Sequence, residues 1–212
     1  MDIRYLGFMG YDDAMCLMQA LHAARLRDEI PDTLLCLEHE PVVTRGRRLN
    51  QPIEIIDKKL ESHGIAVRNA DRGGLLTYHG PGQIVVYVLL RLTQHFKGVA
   101  DITKEIEKGL GIFLRKEGYV VQEIEGHPGG WIDGRKVASI GLRIAGGVTS
   151  HGLSLNVHND LSVYDLFDPC GLSGQTMTSL QVLSGKNYDA GAVADLATRL
   201  CETLATHLSC SV

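Results

Sequence analysis

The run of strand-forming residues IVVYVLL at positions 84–90 follows directly after a glycine-rich segment at positions 72–83. Glycine lets the backbone approach a partner closely or adopt a positive φ, although it costs conformational entropy on folding. A loop of this composition, anchored to a buried strand, favours a wall of a ligand site; the alternative is an ordinary turn, because Gly-Gly and Gly-Pro-Gly are common turn signals. The segment, RGGLLTYHGPGQ, carries hydrogen-bonding side chains at Arg72, Thr77, Tyr78, His79 and Gln83.

Helical and strand patterns follow one another irregularly along the chain. Apolar residues at helical spacing predict helices over residues 13–29 and 57–62, from residue 101 up to Gly118, and from Val193 onward. Runs of strand-forming residues predict strands at 3–6, 33–37, 42–44, 65–67, 84–90, 119–122, 130–132, 136–144 and 152–157. Because this order is not a regular βαβ alternation, we expect an α+β fold in which helices flank mixed, mostly antiparallel sheets, in a single domain over residues 1–212.

The composition and the charge of the chain indicate where the protein is located and which classes of partner it can bind. The net charge of −4 argues against general nucleic-acid binding, yet seven basic and four acidic residues lie between positions 45 and 72. That basic excess suits an acidic partner protein, and a solvated surface with scattered cations is the alternative. No signal peptide is evident, no apolar run approaches the roughly 18 residues of a membrane span, and the five cysteines show no CxxC spacing. We expect a cytoplasmic monomer that binds neither membranes nor nucleic acid.

Cys170 differs from the other cysteines in its context, because it lies in the turn-like segment DPCGL at 168–172. A thiol reacts as the thiolate, and a pKa near 8.5 leaves only a few per cent of it ionised at pH 7, so a nucleophilic cysteine needs a nearby cation. An inert turn cysteine is the alternative. The candidate cations are Lys136, which begins the apolar strand KVASIGLRI, and the histidines His79, His151 and His158.

Several common site motifs are missing from the sequence. There is no GxxxxGK[ST] phosphate loop and no GxSxG nucleophile elbow. The nine histidines form no HxH or HExxH pattern, so we expect no metal site.

Four segments, taken in order, carry a resemblance to a known family. RGGLLTYHGPGQIVVY, GRKVASIGLRI, TSHGLSLNV, and DPCGL followed by MTSL resemble the octanoyltransferases of protein lipoylation, the lipoyl(octanoyl) transferases of the biotin/lipoate protein ligase superfamily. The resemblance runs from the first predicted strand to about Leu180. It implies the catalytic-domain fold of that superfamily.

The resemblance also implies a reaction. An octanoyl group moves from acyl carrier protein to a specific lysine of a lipoyl domain, in 2-oxoacid dehydrogenase E2 subunits or the glycine-cleavage H protein, without ATP or metal. Cys170 is implied as the nucleophile that carries the acyl group as a thioester. Lys136 is implied as the residue that lowers the thiol pKa and acts as general base.

Three segments are implied to bind the substrate. We expect backbone N–H groups of Gly73, Gly74 or Gly141 to stabilise an oxyanion. We expect an apolar acyl site to be lined by Leu75, Leu76, Ile140 and Leu153, with simple burial in the core as the alternative for some of them. The sequence departs from the usual residues of the family at Val88, Leu76, Ser154 and Arg45. The width and the chain-length preference of the acyl site are therefore not determined by the resemblance. The implied substrate-binding residues are Arg72, Gly73, Gly74, Leu75, Leu76, Thr77, Tyr78 and His79, then Ser139, Ile140 and Gly141, then Gly152, Leu153 and Ser154.

Two alternatives stay open at this point. An ATP-dependent lipoate or biotin protein ligase is one, because the run Arg45-Gly46-Arg47-Arg48 resembles a biotin-ligase loop. The other is a catalytically inactive module that holds an acyl chain or a partner protein. It predicts that loss of Cys170 or Lys136 leaves function intact.

Overall fold

The computed structural model describes residues 1–49, 54–92, 96, 98–169, 172 and 174–211. Its helices are α1 (Tyr11–Leu26), α2 (Glu54–Ser62), α3 (Val99–Lys116), α4 (Leu180–Ser184) and α5 (Ala190–Ser211). Its strands are β1 (Asp2–Met9), β2 (Thr33–His39), β3 (Val42–Arg45), β4 (Ala66–Asn69), β5 (Leu76–His79), β6 (Gln83–Leu89), β7 (Gly129–Ile132), β8 (Arg135–Ala145) and β9 (Val148–Asn156). Short 3-10 turns lie at Ser162–Asp165 and Gly174–Thr176.

The larger sheet has the strand order β1-β2-β6-β9-β8-β7. β1 and β2 are parallel, and the other neighbours are antiparallel. Both faces of the central strand β6 are covered, because Val86 and Val88 face a core with α3 and α5, whereas Val85 and Leu89 pack with α1. A strand that is buried on both faces is apolar at nearly every position, which explains the unbroken run at 84–90.

The smaller sheet has β3 at its centre, parallel to β4 and antiparallel to β5. Leu76 and Tyr78 of β5 pack in the core of this sheet with Val43 of β3 and Leu60 of α2. The expectation of a loop over the whole of 72–83 is therefore wrong. Within this segment, two apolar side chains alternate with two polar ones, as in a strand. The pattern is only four residues long and lies between glycines, so it is easily missed in the sequence.

The mixed, mostly antiparallel architecture agrees with the predicted fold class. The predicted strand at 119–122 is wrong, because Gln122 forms only an isolated bridge to Trp131. The sequence patterns do not predict α4. Among the described helices, none combines the length and hydropathy needed to cross a membrane.

Candidate active site

A cavity of about 250 Å³ is lined by residues from both sheets. Thr77 and His79 of β5 form one side, and the segments 139–141 of β8 and 151–154 of β9 form another. The glycine-rich turn at 72–75 lies between them, and Tyr11 at the start of α1 closes one part of the wall. This volume is below the range of about 300–1,000 Å³ for pockets that hold drug-sized ligands, so the cavity suits a small or slender ligand.

Most of the residues predicted to bind substrate lie around this cavity. Leu76 and Tyr78 do not, because successive side chains of a strand point to opposite faces, and these two point into the core under the smaller sheet. The predicted residues that line the cavity are Lys136, Arg72, Gly73, Gly74, Leu75, Thr77, His79, Ser139, Ile140, Gly141, Gly152, Leu153 and Ser154.

The predicted nucleophile, Cys170, lies outside the described residues. Residues shortly after it in the chain contact Lys136: Met177 forms a parallel bridge with Lys136, and the Thr178 N–H donates to the Lys136 carbonyl at 2.9 Å. The Lys136 side chain is buried, with Nζ 5.5 Å from the centre of the Trp131 ring. Residues 177 and 178 therefore run beside Lys136, which lines the cavity.

Arg72 fixes the glycine-rich turn in place. Its buried guanidinium donates to the Thr44 hydroxyl and carbonyl on β3, and to the carbonyls of Gly73 and Leu75, over distances of 2.7 to 3.1 Å. The Gly73 N–H donates to the Leu142 carbonyl of β8 at 2.9 Å. The expectation that this N–H stabilises an oxyanion is therefore wrong, because it is already bonded within the fold.

Gly152 is required where β9 crosses the cavity wall. A Cβ added at this position would overlap the carbonyl oxygen of Val86 on the neighbouring strand β6. Its partner across the sheet is Gly141 of β8, where an added Cβ would come within 3.3 Å of the Gly73 carbonyl oxygen. Glycine at position 152 thus lets β9 lie close to β6, and glycine at position 141 lets the glycine-rich turn lie close to β8.

His79 is neutral and has a defined tautomer. Gln83 Nε2 donates to the Tyr78 carbonyl and to Asn156 Oδ1, so its Oε1 accepts from His79 Nδ1–H at 2.7 Å. Burial, and to a smaller extent the neighbouring His39, lower the pKa of His79 to about 3. The ring therefore carries no positive charge at neutral pH.

His151 is also neutral, although its Nε2 donates to the Asp71 carboxylate at 2.5 Å. Burial lowers the pKa of His151 to about 3, and the guanidinium groups of Arg72 and Arg143 act in the same direction. His158 lies against Gly82, outside the lining of the cavity. Of the four cations suggested by the sequence, Lys136 is the one that the geometry favours.

We expect the free energy of unfolding to fall as the pH is lowered from about 6.5 toward 3. The unfolded histidines take up protons near pH 6.5, whereas His79 and His151 in the folded protein do so near pH 3. The unfolded state therefore binds more protons in this window, and each histidine contributes a slope of about 1.4 kcal/mol per pH unit. Urea unfolding at a series of pH values measures this slope.

The matched variants are His79→Gln, which removes one buried imidazole, and His63→Gln, which removes an exposed one. The slope should become shallower in His79→Gln and stay as in the wild type in His63→Gln. Equal slopes in all three proteins would contradict the assignment of a neutral, buried His79.

Sequence analysis did not identify several residues of the cavity, namely Tyr11, Thr44, Val85, Tyr87, Gly126, His127 and Pro128. Val85 and Tyr87 are two residues apart, so they lie on the same face of β6. This alternation, considered together with the predicted site residues Thr77 and His79, could have identified them. No sequence signal indicates Tyr11, because its position depends on how α1 packs against the sheet. Among the described residues, no group of three or more His, Cys, Asp or Glu side chains is arranged to hold a metal ion.

The sequence matches a family model and many curated relatives. Residues 10–204 match the family described as "Lipoyl protein ligase A/B catalytic domain". An octanoyltransferase of Chloroflexus aurantiacus is 39% identical over 203 residues, which cover 93% of this chain and 89% of that protein. Other relatives with the same name are 36–39% identical.

Solved structures share the fold at much lower identity. A lipoate-protein ligase A bound with ATP superposes with a TM-score of 0.73 and 15% identity, covering 97% of this chain and 86% of that one. A bipartite lipoate protein ligase from Thermoplasma acidophilum, described with its E2 lipoyl domain, superposes with a TM-score of 0.72 and 15% identity, covering 97% and 84%. The predicted superfamily fold is confirmed.

Proposed function

Because the chain belongs to the octanoyltransferases of the lipoyl protein ligase A/B catalytic-domain family, we propose that it transfers an octanoyl group from acyl carrier protein to a lysine of a lipoyl domain. The proposal rests on one observation: Lys136, the glycine-rich turn and the strands β8 and β9 line the same cavity. The lipoyl domains of E2 subunits and of the glycine-cleavage H protein are the proposed acceptors.

In the first step, the Cys170 thiolate attacks the thioester carbonyl of the donor. A C–S bond to Cys170 forms, and the C–S bond to the carrier breaks. The Lys136 ammonium favours the thiolate before attack, and afterwards it gives a proton to the departing carrier thiolate. This step leaves an octanoyl thioester on Cys170 and a neutral amine on Lys136.

In the second step, the lysine amine of the lipoyl domain attacks the thioester. A C–N bond forms, the C–S bond to Cys170 breaks, and the neutral Lys136 amine accepts the proton that the nucleophile loses. The thiolate and the ammonium are thereby restored. Lys136 thus acts as a cation in the first step and as a base in the second.

The acyl chain is proposed to lie along Leu75 and the face of β6 that carries Val85 and Tyr87, which line the cavity. Burial of about six methylenes would contribute roughly 5 kcal/mol, at about 0.8 kcal/mol each. The proposed acyl site no longer includes Leu76, Ile140 or Leu153, because Leu76 and Leu153 are buried in the cores and Ile140 packs against the core of the larger sheet.

Fewer of the basic residues between positions 45 and 72 are available to dock a partner protein than the sequence suggests. Arg45 and Arg68 are paired with Asp57 and Asp12, and Arg72 is buried. Arg47 and Arg48 are exposed, and Arg48 lines the cavity. We propose that Arg47 and Arg48 meet acidic groups of the incoming proteins at the mouth of the cavity. The single domain, the monomer and the cytoplasmic location stay predictions.

An ATP-dependent ligase is the second candidate function, since the solved structures of similar fold include a lipoate-protein ligase bound with ATP. A thioester donor is already activated, so the transferase should need neither ATP nor metal. The test supplies a lipoyl domain with octanoyl-carrier protein and chelator in one reaction, and with free octanoate, Mg²⁺ and ATP in another. We expect the acceptor to gain one octanoyl group in the first reaction. A gain confined to the second would identify a ligase instead.

A further inference from the structure

Tyr11 and His151 line two cavities at once. The first is the candidate active site, and the second is a groove of about 580 Å³ between α1 and residues 68–71. Met15 and Met18 of α1 line the groove beside Tyr11. Since these two residues line both spaces, they form the wall between the active-site cavity and the groove.

This wall is held by several elements. The Tyr11 ring lies 5.4 Å from the ring of His39, whose Nε2 accepts a hydrogen bond from the Tyr87 hydroxyl at 2.7 Å. His151 has a left-handed backbone with φ of 59°, which directs its ring out of the regular strand pattern, and its N–H donates to Met18 Sδ at 3.3 Å. His151 is also bonded to Asp71. The wall is therefore built into the packing of α1 on the sheet.

The wall stands at the end of the cavity opposite Lys136. β8 runs along the cavity from Lys136 to Gly141, and the next residue, Leu142, is paired with His151 of β9. At about 3.3 Å per residue, this length of strand spans at most roughly 20 Å between Cα atoms. Lys136 and His151 both line the cavity from its two ends, so the space left between their side chains is shorter. A chain attached near Lys136 would thus point its tail toward Tyr11 and His151.

We propose that the wall formed by Tyr11 and His151 sets the longest acyl chain that the site accepts. The proposal rests on the proposed acyl transfer and names the residues that determine its specificity. Without the Tyr11 ring, the cavity would join the groove, and a longer acyl tail would extend over Met15 and Met18 instead of meeting the ring.

The test compares octanoyl- and dodecanoyl-carrier protein as donors, by the ratio of their kcat/KM values. In Tyr11→Ala, the dodecanoyl-to-octanoyl ratio should rise by on the order of 100-fold, because each of the four added methylenes contributes about fourfold when it is buried. Tyr11→Leu should give a smaller rise. Tyr11→Phe, which keeps the ring, and Tyr5→Ala, which removes an exposed tyrosine, should keep the wild-type ratio.

Suppose that the dodecanoyl-to-octanoyl ratio is unchanged in Tyr11→Ala and Tyr11→Leu while octanoyl transfer is retained. This result would overturn the proposal that the wall sets the chain length, and it would leave the transferase proposal standing. If the wild type transfers neither group, the transferase proposal fails. The wall is then tested by the melting temperature with octanoic or dodecanoic acid. It predicts that dodecanoic acid stabilises Tyr11→Ala and Tyr11→Leu more than the wild type, and equal stabilisation of all three would contradict it.

Discussion

Replacing Lys136 with alanine is expected to slow octanoyl transfer by about 10³-fold, within the range of about 10²–10⁴ typical for loss of a general acid or base. The Lys136 side chain is buried at the cavity, and its backbone is hydrogen-bonded to Thr178, shortly after position 170. Loss of this cation should also raise the pKa of the Cys170 thiol. The measurements are the rate of transfer and the pH dependence of Cys170 alkylation.

Two further lysine variants separate the possible causes. Lys186→Ala removes an exposed lysine outside the cavity lining and should behave as the wild type. Lys136→Arg retains a positive charge but cannot act as a base, because arginine does not lose its proton in proteins. It should preserve fast alkylation of Cys170 yet fail to complete transfer to the acceptor lysine. An alkylation profile in Lys136→Ala that matches the wild type would remove the assigned role.

Replacing Cys170 with alanine should reduce transfer by at least about 10⁴-fold, because the proposed mechanism carries the acyl group on this thiol. The residual rate is measured by the mass gain of a lipoyl domain over time. Cys16→Ala, which removes an exposed cysteine on α1, is the matched control and should transfer at the wild-type rate. Comparable activity in Cys170→Ala would favour a direct transfer without an acyl-enzyme, and would exclude the thioester route.

The sequence predicts most of the fold where the local pattern is strong. The apolar run of β6 and the leucines at every fourth position of α5 identify those elements directly, because both are buried. β5 is missed, since its four residues lie among glycines. The expected strand at 119–122 fails because only one residue of it pairs with β7.

The site shows a similar division between sequence and structure. Motif resemblance selects Lys136 and the glycine-rich turn, but it does not distinguish the two faces of β5. In the structure, Leu76 and Tyr78 belong to the core, whereas Thr77 and His79 line the cavity. Tyr11 is far from the motifs in sequence, and only the packing of α1 brings it to the wall. The neutral state of His79 likewise depends on burial, which no local pattern expresses.

The most direct test of the acyl-enzyme mechanism is the intact mass of the protein after incubation with octanoyl-carrier protein, without ATP and without acceptor. The wild type and Cys16→Ala should each gain one octanoyl group, which peptide mapping places on Cys170 and hydroxylamine removes. Cys170→Ala should gain none. Absence of the adduct in the wild type, its persistence in Cys170→Ala, or its dependence on ATP would contradict the thioester mechanism.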